Sequence, residues 1–299
     1  MSDTMLNLRL AGALLLAHAL SMLALPLWVR AWPAAGWLLL VPVALTLPLW
    51  ALMHECMHGS FGLGARGGQL VGRALGVAFG APYRALRLGH LLHHRYNRTE
   101  LDASDSWDPR RRRRVAAFAS YYARLLGGLY LLEVVGGLAA WLPRRLLRRL
   151  AGRAAARDSL GARMLRVLTQ PEALRELRVD AACVIVLWTV AGLAWGPHAW
   201  MLLPAWLARA LLVSLHDNLY HYGCALGGDD AWSLRLPRPL ALAMLHFNHH
   251  ATHHRHPGLG WRHLPRQARI DGRDPDAAWA GMLLRQLRGP LRLRAPGRA

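Results

Sequence analysis

The chain has 299 residues, 54% of them hydrophobic, with a mean hydropathy of +0.16; 37 arginines and no lysine, against 17 acidic residues, leave a formal net charge of +20. A disordered basic tail is poor in apolar residues, and a soluble nucleic-acid binder does not combine such charge with a positive mean hydropathy. The numbers therefore exclude a nucleic-acid partner and point to a membrane protein with arginine-rich loops. Three cysteines, Cys56, Cys183 and Cys224, with no C-x-x-C pair, exclude a disulfide framework and a thiolate zinc site.

Residues 10–29 form an almost wholly apolar run, and ~20 residues at ~1.5 Å rise cross a ~30 Å hydrocarbon layer. The run is long for a signal-peptide core and leads straight into a second one, so it is expected to be retained. The second run, 34–53, contains Pro42 and Pro48, which membrane helices tolerate better than soluble ones. Residues 115–141 are apolar but contain Arg124, Glu133 and the Gly127-Gly128 pair. They are expected to lie in the interface or re-enter, because a single crossing would put later histidines on the opposite side from earlier ones. A short run, 181–195, and another, 198–215, flank the turn Gly196-Pro197 and predict a second helical hairpin.

Arginines crowd into 84–114, 144–178 and 262–298, whereas the two short loops 30–36 and 196–197 hold one between them. Positive residues stay cytoplasmic, which places both termini inside. Trp28, Trp32 and Trp37 flank one short loop and Trp195 and Trp200 the other, the aromatic belt of one interface. The expectation is a single integral-membrane domain over 1–299, all-α, with about four spans in two hairpins. In a bacterium it would sit in the inner membrane.

Histidines are clustered. His54 and His58 follow the second apolar run; His90, His93 and His94 lie further on; His221 follows the fourth run; and His249, His250, His253 and His254 come last. On a helix, residues at i, i+3 and i+4 share a face. His54 with His58, His90 with His93 and His94, and His250 with His253 and His254 can each offer two or three imidazoles to a metal such as iron, zinc or copper. The predicted topology puts all four clusters at one face of the membrane.

These residues resemble those of the membrane fatty acid desaturase and hydroxylase superfamily. His54/His58 match its H-x(3–4)-H box, His90/His93/His94 its first H-x-x-H-H box, and Asn248-x-His250-x-x-His253-His254-x-x-Pro257 the second with its usual flanks. His221 in His-Tyr-Gly looks like the lone ligand that follows the fourth span. The resemblance covers most of the chain, and the nine matched histidines together are specific where a single box is weak. It implies a four-helix membrane scaffold with a cytoplasmic helical cap, and two iron ions held by His54, His58, His90, His93, His94, His221, His250, His253 and His254. It further implies oxidation of an unactivated C–H bond of a long acyl or alkyl chain by O2, most simply desaturation. Hydroxylation, carotenoid ketolation and alkene formation from a fatty acid are outcomes of the same chemistry. No cluster for a bound redox centre is present and only about 40 residues follow His256-Pro257-Gly258, so electrons are expected from a separate ferredoxin-, rubredoxin- or cytochrome b5-like donor.

His54-Glu55-Cys56-Met57-His58 also reads as the H-E-x-x-H motif of zinc proteases, with Glu55 as general base. A mononuclear zinc needs only three protein ligands, so the further histidines favour the di-iron reading, in which Glu55 orients an imidazole. Asp217 and Asn218 are candidates to hold a metal-bound water or accept from a ligand, or else are a polar helix end. The superfamily's Asn-x-x-x-His spacing is not reproduced, because Asp217 stands four before His221. His249 competes with His250 for the last box. His216 is a further candidate, while His18, His198, His256 and His263 read as structural or loop residues. Residues 110–114, all arginine, fit anionic lipid or an acidic donor protein. A non-catalytic metal transporter is disfavoured because the histidines do not line a path through the spans.

Overall fold

The computed structural model describes residues 1–155, 159–228, 230–273, 275 and 277–293. Contacts divide the chain into two compact units, Met1–Leu92 with Leu131–Arg209, and His93–Tyr130 with Ala210–Ala299. The protein is mainly helical, with two pairs of two-residue parallel strands among the described residues. Among the described residues, four helical stretches are long and apolar enough to cross a membrane: Asp3–Ala31, Pro33–His58, Arg114–Ala139 and Pro171–Leu219. The last contains two helices, Pro171–Trp195 and Leu202–Leu219, joined by a short 3-10 turn.

In the first unit, Asn7 donates to the carbonyl of Phe61 (3.2 Å) and Thr4 to that of Gly62 (3.4 Å), which ties the start of the first stretch to the end of the second. These two therefore run antiparallel. The later hairpin closes likewise. The Arg84 amide donates to Asp180 (2.8 Å) on one arm, and Arg209 on the other donates to the carbonyls of Ala78 and Phe79 (3.1 Å each). Arg209 is buried, and those carbonyls end the helix Gly64–Phe79, where backbone acceptors lack intrahelical donors and favour a cation.

A proline explains one inward tryptophan. Pro26 has no N–H to offer the carbonyl of Met22, four residues earlier, and the helix loosens into a π turn over Leu20–Ala24. The Trp195 indole supplies the donor at 3.1 Å and is fully buried. Trp195 is thus a core anchor packed with Met22, Leu25 and Val29, correcting its assignment to the aromatic belt. Trp28, Trp32, Trp37 and Trp200 are exposed at the helix ends, as an interfacial belt requires. Leu16, Leu27 and Leu193 are also more than half exposed, apolar surface that lipid rather than water would cover.

Glycines set a tight reversal in this unit. Gly80 ends Gly64–Phe79 in the left-handed conformation (φ 92°). A Cβ on Gly72 would stand 2.5 Å from the Tyr83 ring, whereas one on Gly68 would meet nothing within 4 Å. Gly72→Ala is expected to cost about 1–3 kcal/mol through overpacking, and Gly68→Ala to be neutral or stabilising by up to ~1 kcal/mol. Thermal unfolding in detergent checks both; equal behaviour would refute the packing argument.

In the second unit, the helix Arg114–Ala123 is followed by a break: Leu126 (φ −91°, ψ 34°) and Gly127 (φ 113°) leave helical geometry. The Gly127-Gly128 pair has a steric reason, since a Cβ on Gly128 would lie 2.2 Å from the carbonyl oxygen of Ala123. The stretch 115–141 is therefore not one straight helix. A core of Tyr121, Leu125, Leu219, Tyr220, Tyr222, Leu234 and Met282 fills this unit. Tyr121, Tyr122 and Tyr222 donate to the carbonyls of Gln286, Leu287 and Gly289 and secure the end of the helix Trp279–Gln286.

Candidate metal centre

His54 and His58 stand one turn apart on the helix Thr46–His58, which ends at Gly59 in the left-handed conformation (φ 80°). The helix Tyr83–Tyr96 carries the next three. Within the first unit, the His90 ring lies 4.5 Å from that of His54 and 4.8 Å from that of His58, centre to centre. The Nε2 atoms of His58 and His90 are 2.7 Å apart, and the candidate ligand atoms of all three lie within 4.8 Å of one another. Arg87 donates to the carbonyl of Met57 (3.2 Å) and holds the two helices in register. Glu55 is buried on the same helix.

The second unit brings together His93, His221, His250 and His254, again within 4.8 Å of one another. Nε2 to Nε2 separations are 3.1 Å for His93–His221, His221–His250 and His250–His254. Imidazole nitrogens ~2.0–2.1 Å from one cation sit roughly 3–3.4 Å from each other, so the spacing suits a shared metal. Burial, and after it the neighbouring imidazoles, holds His250 and His254 well below the ordinary histidine range. Burial does the same for His221, with His93 and Arg98 adding to it. All three rings are neutral near pH 7, with a lone pair free for a metal. In this unit, too, the Nε2 atoms of His94 and His253 approach to 3.0 Å.

Two polar residues fix ring orientation, and neither is marked by motif or spacing. Asp102 meets His93 Nδ1 at 2.5 Å, leaving Nε2 to face the group. Asn97 lies 3.3 Å from His254 Nδ1. Carboxylate partners on the far ring nitrogen of a metal ligand raise its basicity and fix its tautomer. Asp102→Asn is expected to weaken metal binding about 10–100-fold while leaving the fold intact, measured by metal titration of the stripped protein; unchanged affinity would sink the orienting role.

The loop carrying His221 is clasped by a buried ion pair. Arg98 donates to Asp105 (2.8 Å) and to the carbonyls of Cys224 (2.5 Å) and Ala225 (3.4 Å), while Asp105 accepts from the Gly223 amide (2.7 Å). Arg98 itself takes a left-handed backbone (φ 55°), and its carbonyl accepts from the Gly227 amide at 2.8 Å.

The remaining candidates fall elsewhere. Asn218 is buried and donates to the Tyr121 hydroxyl (3.1 Å) and the Gln286 side chain (2.9 Å), away from the four-histidine group. Asp217 is exposed and faces Arg124 at 3.7 Å. His250 joins the group, and His249 is the residue before the helix His250–Arg255, its ring 6.0 Å from that of His246. That short helix is anchored by Asn248, whose side chain donates to the Leu234 carbonyl (2.9 Å) while its own carbonyl accepts from the Leu234 amide (2.8 Å). His216 bonds the Tyr220 hydroxyl (3.0 Å), His18 the Leu14 carbonyl (2.9 Å) and His256 the Asp271 carboxylate (3.0 Å).

Over 95 residues the chain is 32% identical to an omega-3 fatty acid desaturase of the endoplasmic reticulum from Vigna radiata var. radiata, covering 32% of this chain and 23% of the relative. Over 107 residues it is 33% identical to the chloroplastic sn-2 acyl-lipid omega-3 desaturase (ferredoxin) of Helianthus annuus, covering 36% of this chain and 21% of that protein. The chain thus spans less than a quarter of the length of the curated relatives it matches. No solved structure matches it. The family model for fatty acid desaturase matches residues 30–285, most of the chain, and the protein belongs to the fatty acid desaturase family.

Proposed function

We propose that the protein is a multipass membrane oxidoreductase that introduces a double bond into a long acyl chain, using O2 and electrons from a separate donor protein. The observation that carries this reading is the convergence of His93, His221, His250 and His254 on one point, in a chain of the desaturase family. These four would hold one iron. His54, His58 and His90, grouped within the first unit, would supply ligands of a second. Asp102 keeps His93 in the tautomer that presents Nε2, and Asn97 steadies His254. Iron held there by neutral imidazoles would supply the O2-dependent attack on an unactivated C–H bond. The balance for desaturation removes two hydrogens from adjacent carbons, and with two external electrons and two protons O2 leaves as water.

The chain's own residues contribute neutral donors, a buried setting for them and a fixed ring geometry. The arginine distribution supports a cytoplasmic position for both termini and the histidines, where a ferredoxin-, rubredoxin- or cytochrome b5-like donor would be available and the exposed arginines 110–114 can attract an acidic partner. The test is expression with a suitable reductase, followed by mass spectrometry of lipids and hydrocarbons against the His93→Ala variant. New double bonds that vanish in the variant support desaturation; new alcohols or ketones would move the reading to hydroxylation or ketolation. Zinc without iron, accompanied by peptide cleavage, would overturn it.

A further inference from the structure

A second site lies in the first unit, built from residues that the histidine centre does not use. Between the end of the helix Leu129–Ala139, the start of Arg144–Ala155 and the first turns of Pro171–Trp195 is an open cavity of about 390 Å³. Its lining combines three guanidinium groups, Arg144, Arg175 and Arg178, with the apolar Trp141, Leu174 and Val179. Arg178 is fixed in place by donating to the carbonyls of Ala140 (2.9 Å) and Leu142 (3.4 Å). The Nε of Arg144 is buried without a hydrogen-bond partner among the described residues. The carboxylates of Glu176 and Asp180, on the same helix, are engaged by Arg73 and Arg84. Among the described residues, Arg144, Arg175 and Arg178 form no ion pair, so the cavity concentrates positive charge that nothing there neutralises.

The lining continues into an apolar region. Arg178, Ala182, Ile185 and Thr189 follow at helical spacing along one face of Pro171–Trp195. Ile185 and Thr189 line a second cavity of about 350 Å³ with Pro82, Val134, Leu138 and Trp188. From Arg178 to Ile185 the helix rises ~10 Å. Trp141 is 53% exposed at the mouth, the position an interfacial tryptophan takes. A cationic, partly desolvated mouth followed by an apolar trough is complementary to an amphiphile with an anionic head.

We infer that this cavity binds the phosphate of an anionic phospholipid, with an acyl chain lying along Pro171–Trp195 into the second cavity. Arg144 and Arg175 grip the phosphate, and the apolar trough selects a lipid over a soluble phosphate ester. No histidine lines either cavity, and the occupant is proposed as a bound lipid of this site.

The experiment is native mass spectrometry of the purified full chain in nonionic detergent with added phosphatidylglycerol or phosphatidylcholine. The wild type is expected to retain phosphatidylglycerol about tenfold better than phosphatidylcholine. Arg144→Gln/Arg175→Gln, which spares the structural Arg178, should lose that preference. Arg145→Gln/Arg148→Gln, an equal charge change on exposed positions of the same helix, should keep it, and so should His254→Ala, whatever its effect on catalysis. Equal retention of both lipids by the wild type, or an unchanged preference in Arg144→Gln/Arg175→Gln, overturns the site. Displacement of the lipid by millimolar glycerol 3-phosphate would reassign it to a soluble phosphate.

Discussion

His254→Ala is expected to lower bound iron from about two per chain to about one and to reduce turnover by more than ~100-fold. His254 is buried and neutral, its Nε2 is 3.1 Å from that of His250, and its ring lies 4.8 Å from that of His221 and 5.1 Å from that of His93. Removing it deletes one donor from a group in which every ring contacts another ligand candidate. Iron content by elemental analysis is the primary readout, because it does not depend on an active donor or a known substrate. His256→Ala is the control: that ring bonds Asp271 at 3.0 Å and is no part of the group. Full iron content in His254→Ala, or equal loss in His256→Ala, would contradict the assignment.

The largest effect on stability is expected at the clasp beneath His221. Arg98 and Asp105 are each about 2% exposed, and Asp105→Ala would leave a guanidinium buried without its counter-charge. Breaking a buried pair from one side costs about 3–5 kcal/mol, although the intact pair is worth far less than that. The Gly223 amide would lose its acceptor at the same time, so the loop that positions His221 should loosen. Thermal unfolding in detergent measures the loss, and Asp105→Asn, which keeps an oxygen for the Gly223 amide, should be milder. A shift within about 0.5 kcal/mol for Asp105→Ala would show that the clasp is dispensable.

Helical periodicity made much of the candidate site legible. His54 and His58 do share a face of one helix, and His90, His93 and His94 do sit on one helix, because i, i+3 and i+4 spacing is a local property. Their division was not legible: His90 packs with His54 and His58, His93 with His221, His250 and His254, although His90, His93 and His94 were expected to share one face. Asp102 and Asp105 lie in a segment with no periodicity, and their partners His93 and Arg98 depend on how that segment reverses. The register of the last box also needed the structure, since His249 and His250 differ only in which of them begins the helix.

The class of protein is legible in the residues alone. Charge, apolar run length and clustered histidines follow from composition and spacing, and each has a local physical meaning in a bilayer or on a helix. Tertiary structure alone decided what compensates each departure from the regular helix. The Met22 carbonyl, deprived by Pro26, is satisfied by Trp195 from 173 positions away, and Arg209 finds its acceptors at a helix end 130 positions earlier. Buried polar groups must be satisfied wherever a partner can reach them, and that reach is set by the folded chain and not by distance along it.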